Sequence, residues 1–516
     1  MKKTTTQLFL LVLLAGLCMS NMINAQTPTW AWAKDTTAIA TGGLTTDASG
    51  NIYVANDFGD VFLVKYDNTG QQLWAKSAAG SQDSPPATNT YPNGIALDPS
   101  GNILVTGFFT SATLTLESTV LTRVSTVDMF VAKYTSAGNL LWAKSAAIGN
   151  VGNVGFNVAS DAAGNAIVVG SYSAASMTIG TTTFTNPCTS GGGCPSMLVV
   201  KYDGTNGAVL WAKSSFAGVG TSYCYSVATD ASNNVYVGGD FSKTGNTRNS
   251  IVKYNSLGDT LWTQSNGGWF VTTDGSGNLY SGYDKVANNG LVKKYNSATG
   301  AVAWTTTPTG NTSNKGVATR TDAAGNVYYA GTFRSTSITF GTFTVAHAGS
   351  GSDDDIFIVK YDNTGTPLWA TAVGGTGFDA LNGFTVDNGG NVYVGGFFLS
   401  PSLTFGSTTL NVLGLGYNVF FARLGDANTG VNHLYMDNAF RVYPNPSKGK
   451  FMIEFTNKQS ATNVEVYNLV GEKIQTGIGM QQQTAKEIDL SNAPKGIYFV
   501  KMSDGEKMYT NKIVVE

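Results

Sequence analysis

Phe130-Val-Ala-Lys-Tyr-Thr-Ser-Ala-Gly-Asn-Leu-Leu-Trp-Ala-Lys-Ser145 is the stretch on which the fold turns. Two runs rich in β-forming residues flank a polar turn containing Gly138, the pattern of a hairpin. It returns at 62–77, 198–214, 251–265, 291–305 and 357–370. Upstream of each hairpin stands a second element, Asp-x-x-Gly-Asn followed by alternating apolar residues and a Gly. Its seven copies begin at Asp47, Asp98, Asp161, Asp230, Asp274, Asp322 and Asp387, and the fourth carries Asn233 in place of Gly. Asp and Gly-Asn form turns, and the run after them is a strand. A further apolar run, such as Asn93-Gly-Ile-Ala-Leu97, precedes each Asp. Each unit therefore holds four strands: a before the Asp, b after Gly-Asn, c ending in Lys-Tyr, and d carrying Trp.

Four strands per unit, with units of roughly 40 to 70 residues, predict propeller blades. Strands a and b occur seven times, and Phe420-Phe-Ala-Arg-Leu424 supplies a seventh c strand with no Trp strand after it. The missing d strand stands at the other end as Trp30-Ala-Trp-Ala-Lys34. The count predicts a seven-bladed β-propeller whose N-terminal strand closes the last blade, leaving no open edge there. Antiparallel order places the short a–b and c–d turns on one face. The other face carries long b–c segments, about 110–128, 173–196, 334–354 and 399–417, and a long d–a segment, 77–92. Variable loops on a rigid scaffold are where binding resides, so that face is the expected ligand face.

The chain has 516 residues, a formal charge of −2 and only 12% charged residues, with 62 glycines. This suits loop-rich all-β domains and offers no basic patch for nucleic acid. Residues 1–25 read as a secretory signal: Lys2 and Lys3, an apolar run from Leu8 to Leu17, and Ile23-Asn-Ala25 for cleavage. A lipoprotein signal with Cys18 lipidated is the rival reading, although Leu17 fills a position where that motif takes a small side chain. No other run is long and apolar enough to span a membrane as a helix.

Export makes a disulfide between Cys188 and Cys194 plausible; a metal site would need further ligands nearby. Cys224, on an a strand, reads as a buried free thiol. The d-strand tryptophans (Trp32, Trp74, Trp142, Trp211, Trp262, Trp304, Trp369) and the Lys before each c-strand Tyr recur once per blade, so they read as scaffold. Departures from the repeat say more. Trp269, the propeller tryptophan outside a d strand, and Phe270 open an a strand beside the variable face; they either stack on a ligand or fill a gap in the core. Arg320 interrupts a column reading Thr45, Ala96, Ala159, Ala228, Thr272 and Thr385; it either lines the channel and binds an anion or pairs with a carboxylate. Asp353, Asp354 and Asp355 either bind Ca²⁺ or form a solvated turn, and their spacing is not that of an EF-hand. His347 lies in the same segment and His433 beyond the propeller, neither in a catalytic motif. Paired carboxylates at the channel mouth need no local motif, so a glycosidase or lyase stays open beside a binding protein and a purely structural one.

Near residue 430 the composition changes: 431–516 holds 10 Lys/Arg and 9 Asp/Glu, and the Trp repeat stops. The expected domains are 26–430, a linker over 431–437, and 438–516. Short alternating strands at 450–455, 463–467, 497–502 and 512–515 predict a small β-sandwich. This module resembles the C-terminal sorting domain of type IX (Por) secretion cargo through Val442-Tyr-Pro-Asn-Pro446 (Tyr443, Pro444, Asn445, Pro446), Val464-Glu-Val-Tyr-Asn468, Leu490-Ser491, Gly496-Ile-Tyr-Phe-Val500 (Gly496, Tyr498) and Lys512-Ile-Val-Val515. The resemblance implies export by the type IX machinery to the exterior or surface of a Gram-negative bacterium. The blades resemble the bacterial seven-bladed β-propeller repeat family over roughly 30–425, which implies a fold and no chemistry. The hairpin is also similar to that of quinoprotein propellers, but their eight blades and vicinal Cys pair are not found here, so no quinone cofactor is expected. The expected partners beyond the export machinery are a polysaccharide or glycoprotein.

Overall fold

The computed structural model describes residues 28–35, 43–55, 61–80, 90–146, 152–186, 195–214, 222–241, 250–265, 267–284, 289–310, 315–349, 353–412, 418–425, 440–455, 463–468, 472–478, 485–503 and 508–516. All regular secondary structure in them is β, and they hold no helix long and apolar enough to cross a membrane. The signal segment, Cys18, Cys188, Cys194, His433 and the 431–437 linker lie outside the described residues. The chain divides into two compact units between Ala427 and Asn428.

The first unit contains seven four-stranded antiparallel sheets. Sheet 1 comprises Leu44–Thr46, Ile52–Ala55, Val61–Tyr66 and Gln72–Ser77 in that order. Sheets 2 to 6 repeat the arrangement over 90–146, 153–214, 223–265, 270–306 and 315–373. Sheet 7 joins Asp379–Val386, Val392–Phe398 and Asn418–Gly425 to the N-terminal Thr29–Asp35, which pairs antiparallel from Thr29↔Gly425 to Asp35↔Phe420. The a strand of each sheet lies beside that of the next, and the a strand of sheet 7 lies beside that of sheet 1. The propeller repeat read from the sequence is therefore the architecture of this unit.

The repeated residues do the joining. Each Asp-x-x-Gly-Asn turn is closed by its own carboxylate: Asp47 Oδ1 accepts the N–H groups of Ser49 and Asn51 at 3.0 and 2.9 Å, and Oδ2 accepts Asn51 Nδ2 and the Tyr53 hydroxyl. The turn needs a left-handed residue, Gly50 at φ 76° for example. Asn233 takes the same role in sheet 4 at φ 62°, Asn being among the side chains that tolerate that region. The c-strand lysine then reaches the turn Asp: Lys133 Nζ lies 2.7 Å from Asp98 and donates to the carbonyls of Gly164 and Gly204 in sheet 3. Burial opposes ionisation of Asp98, yet the bonds from Lys133 and Asn102 outweigh it and hold the carboxyl below its ordinary range.

The d-strand indoles join neighbours too. Trp142 Nε1 donates to Gly204 O at 3.2 Å, Trp211 to Ser256 O at 3.1 Å, Trp262 to Ser297 O at 3.1 Å and Trp304 to Asn363 O at 3.2 Å, each in the next sheet's c–d turn. Trp32, on the N-terminal strand, donates to Asn68 O of sheet 1 at 3.1 Å. The turn glycine beneath each ring is required twice over. Gly207 has φ +70°, and a Cβ there would meet the Trp142 ring at 2.7 Å.

The long b–c segments are not open loops. In sheets 2, 3, 6 and 7 they form two-stranded hairpins: Thr113–Leu116 with Thr119–Thr122, Ser176–Ile179 with Thr182–Thr185, Ser337–Phe340 with Phe343–Ala346, and Ser402–Phe405 with Thr408–Asn411. Their inner residues are buried among the sheets: Leu114 and Leu116 pack with Phe62 and Phe130, and Leu403 and Phe405 with Trp369. Phe405 also meets the edge of the Trp30 ring at 4.8 Å. The expectation that these segments are free binding loops is corrected here. Their alternating apolar residues bury themselves in the grooves beside the outer strands, where hydrophobic transfer outweighs exposure.

In the second unit Phe440–Tyr443, Lys450–Phe455 and Ala485–Asp489 form one sheet, and Lys473–Ile478, Asn463–Asn468, Gly496–Ser503 and Met508–Val515 the other. Phe451, Ile453, Ile488, Val464, Val466, Val500 and Ile513 form one core between them. The Tyr443–Asn445 region caps the last strand: Asn445 Nδ2 donates to Lys512 O at 2.7 Å, and Val514 N–H donates to Asn445 Oδ1 at 2.9 Å. Tyr498 is buried and its hydroxyl donates to Pro494 O, while Tyr443, Pro444 and Pro446 stay exposed. Gly496 opens the strand that carries Tyr498.

Two substitutions measure the joins. Gly207→Ala should destabilise the protein by more than Gly101→Ala, because Gly101 shares the left-handed backbone (φ +77°) but has nothing within 4 Å of its added Cβ. Urea unfolding should put Gly101→Ala at about 1–2 kcal/mol and Gly207→Ala clearly above it. Lys133→Met should cost about 3–5 kcal/mol by the same assay, because it strands a buried Asp98 carboxylate, and Asp98→Asn added to it should recover much of the loss.

Candidate functional site

Residues from the a strands of sheets 1 to 6 line a cavity of about 450 Å³. Its wall is small and neutral, with Thr45, Ala96, Ala159, Ala228 and Thr272 from the column that the sequence singled out. Among the described residues, Arg320 is the single charged one lining it. Its Nη1 donates to the carbonyl of Thr319 at 2.9 Å, and no carboxylate among the described residues pairs with it. Burial lowers its pKa to about 10, so it stays cationic at neutral pH. One register further along the strands, hydroxyls tie neighbouring sheets together: Thr229 Oγ1 donates to Ser160 O, Thr273 Oγ1 to Thr229 O and Thr321 Oγ1 to Thr273 O, at 2.6 to 2.9 Å.

An aromatic arc stands at the end of this cavity toward the starts of the a strands. The a strands of sheets 3 and 4 bulge at Phe156 and Tyr225, each five residues before the turn Asp. Trp269 holds that position in sheet 5. Ring centroids are 6.0 Å apart for Phe156–Tyr225 and 4.5 Å for Tyr225–Trp269, and Tyr223 stacks on Tyr225 at 5.9 Å and 19°. All four rings are half-buried. Ser226, which lines the cavity, donates to Trp269 O at 2.6 Å and accepts the Val271 N–H at 2.8 Å, fixing the arc to the cavity's end. Phe270 is half-buried, pairs with Gly282 and makes no ring contact among the described residues, so it stands outside the arc.

The three consecutive aspartates are not brought together. Arg334 clamps Asp354 with two bonds, Nε at 2.8 Å and Nη2 at 3.0 Å. Asp355 Oδ2 accepts the Ala348 N–H at 2.6 Å and lies 3.6 Å from His347 Nδ1. Asp353 contributes its carbonyl to His347 Nε2 at 2.9 Å. No three His, Cys, Asp or Glu side chains among the described residues converge as metal ligands do. Cys224 is a buried free thiol, its pKa raised by burial. Asp379, on the next sheet, accepts bonds from Gly375 N–H and the Ser400 hydroxyl, both at 2.8 Å. Burial and the nearby Asp355 charge raise its pKa to about 6.

Sequence comparison agrees with this division of the chain. Residues 441–516 match the family described as the secretion system C-terminal sorting domain, residues 86–107 the β-propeller repeat, and residues 196–341 the outer membrane protein assembly factor BamB family. This is a propeller-repeat protein carrying a type IX sorting domain, which marks it for secretion or the cell surface. An uncharacterised WD repeat-containing protein of Acanthamoeba polyphaga mimivirus is 30% identical over 213 residues, 36% of this chain and 14% of the relative's length. Among solved structures, the quinohemoprotein alcohol dehydrogenase from Comamonas testosteroni aligns with TM-score 0.41 and 11% identity, covering 82% of this chain and 80% of its own. The WD40 β-propeller domain of Doa1 aligns with TM-score 0.39 and 10% identity, covering 76% of this chain and 96% of its own.

Asp379 supplies a pH test. Its carboxyl is raised above the unfolded value, so its contribution is full below about pH 4 and is lost as pH rises through about 6, amounting to about 3 kcal/mol at most. Asp379→Asn, which installs the residue that sheet 3 has at the matching position (Asn153), should flatten that decline in urea titrations between about pH 3 and 7. An unchanged decline would assign it to another group.

Proposed function

We propose that this is an extracellular binding or adhesion protein: a closed seven-bladed β-propeller, followed by a small β-sandwich that directs type IX export, and engaging a polysaccharide or glycoprotein on its aromatic arc. The observation that carries the reading is the placement of Phe156, Tyr225 and Trp269 at one register of three consecutive sheets, with rings in contact and half-exposed. Scaffold positions in this chain repeat sheet after sheet, whereas the same register holds Asn93, Val317 and Asn382 in sheets 2, 6 and 7. Aromatic faces offer large, rigid apolar area with a polar rim, the chemistry that stacks on sugar rings. The ligand face remains the one at which the a strands begin, but the contact is made by strand bulges and not by the b–c segments.

The alternative is a glycosidase or lyase working through carboxylates at the channel mouth. Asp355 and Asp379, whose acidity the fold perturbs, are both fully buried, which favours binding over turnover. A screen of the secreted protein against surface polysaccharides and glycoproteins decides between them. Binding without product release is expected, weakened about tenfold by Trp269→Ala or Tyr225→Ala, given roughly 1–1.5 kcal/mol per ring contact. Product release, or binding equal in wild type and both variants with unchanged thermal unfolding, would overturn the reading.

A further inference from the structure

Beyond the arc, we infer that the central cavity is a binding site for a small oxyanion — sulfate, phosphate or the carboxylate of an acidic sugar — held by Arg320 with the hydroxyls of Thr45 and Thr272. The argument begins with the column. Six sheets place Thr or Ala at this register, residues that close the cavity with little polarity and no charge, and only sheet 6 places an ion there. A buried structural arginine is ordinarily paired. Here the lining residues include no Asp or Glu, and the guanidinium's one bond to a described residue is Nη1 to the Thr319 carbonyl. Nε and Nη2 make no hydrogen bond to a described residue, which leaves the planar guanidinium fork with donors to match two oxygens of one anion.

Burial lowers this guanidinium to about pKa 10, and an anion bound beside it would offset that desolvation. One register further along, the hydroxyls of Thr229, Thr273 and Thr321 are engaged, each donating to a neighbouring sheet's carbonyl. Thr45 and Thr272 make no such bond among the described residues and stay available as donors on the cavity wall. A volume of about 450 Å³ admits an inorganic oxyanion with its water or a single acidic monosaccharide. Those two sources share the chemistry that Arg320 reads, and the experiment separates them.

The full-length secreted protein is titrated with sodium sulfate, inorganic phosphate and D-glucuronate at ionic strength held constant with NaCl, following thermal unfolding and calorimetric heat. At least one of the three should raise the unfolding temperature by several degrees, saturably, with NaCl alone giving no such rise. Arg320→Ala should weaken that response at least tenfold, and Thr272→Val should weaken it less. Ala occupies this register in three other sheets and Thr in three, so Arg320→Thr serves as a second variant that should fold and should also lose the response. Response to glucuronate alone would identify an acidic sugar; response to sulfate or phosphate would identify a free inorganic ion. Trp269→Ala should leave the oxyanion response intact, so failure here is distinguishable from failure at the arc. No saturable response to any of the three, or an equal response in wild type and Arg320→Ala, would overturn the inference.

Discussion

The structure depends on an indole ring lying over a glycine turn of the next sheet. The ring supplies apolar area to the gap between sheets, its N–H satisfies a turn carbonyl, and the turn glycine has a backbone and a clearance that no other residue fits. Beside it, the c-strand lysine neutralises the buried turn Asp of its own sheet and donates to the neighbour's turn carbonyls. A join made of apolar contact, hydrogen bond and ion pair fixes the angle between sheets as well as their distance. At sheet 6 the loss of the indole hydrogen bond follows from the topology. Trp369 of sheet 6 is buried with no acceptor for its Nε1, because the c and d strands of sheet 7 come from opposite ends of the chain and no turn connects them.

That framework leaves a small part of the unit free to vary. The turn ends of the sheets are committed to Asp and Gly geometry, and the outer grooves beside sheets 2, 3, 6 and 7 are filled by hairpins. What remains is the inner wall and the beginnings of the a strands, where the bulges sit. The arc and Arg320 are both found there, at positions where the repeat departs from itself. The two sites differ in chemistry, one an apolar platform and the other a lone cation, yet both lie where a substitution disturbs no join.

Much of this was legible in the sequence. The seven Asp turns, the Trp and Lys columns and the N-terminal d strand each repeat with fixed spacing, and periodicity survives translation into structure. Arg320 stood out because the column around it is uniform. The hairpins escaped because segments such as Ser402–Phe405 and Thr408–Asn411 occur in only some sheets, so length suggested loops although the alternation of Leu403, Phe405 and Leu410 was present. Phe156, Tyr223 and Tyr225 escaped for a different reason. A bulge adds one residue to a strand and shifts the facing of what precedes it, so alternation alone does not reveal that Phe156, Tyr225 and Trp269 share a position; counting back five from each turn Asp does. The aspartates at 353–355 were misleading because adjacency in sequence does not make their side chains converge: Asp354 turns to Arg334, and Asp355, the first residue of its strand, toward His347.

The central claim is that the first and last strands of the propeller unit form one sheet, so that the ring of joins has no open end. Amide hydrogen exchange read by mass spectrometry tests it directly at Asn418–Gly425. Closure predicts that these amides exchange as slowly as those of Val392–Phe398, since Thr29–Asp35 covers their outer edge. Exchange at Asn418–Gly425 as fast as at an exposed strand edge, with Thr29–Asp35 unprotected, would contradict it.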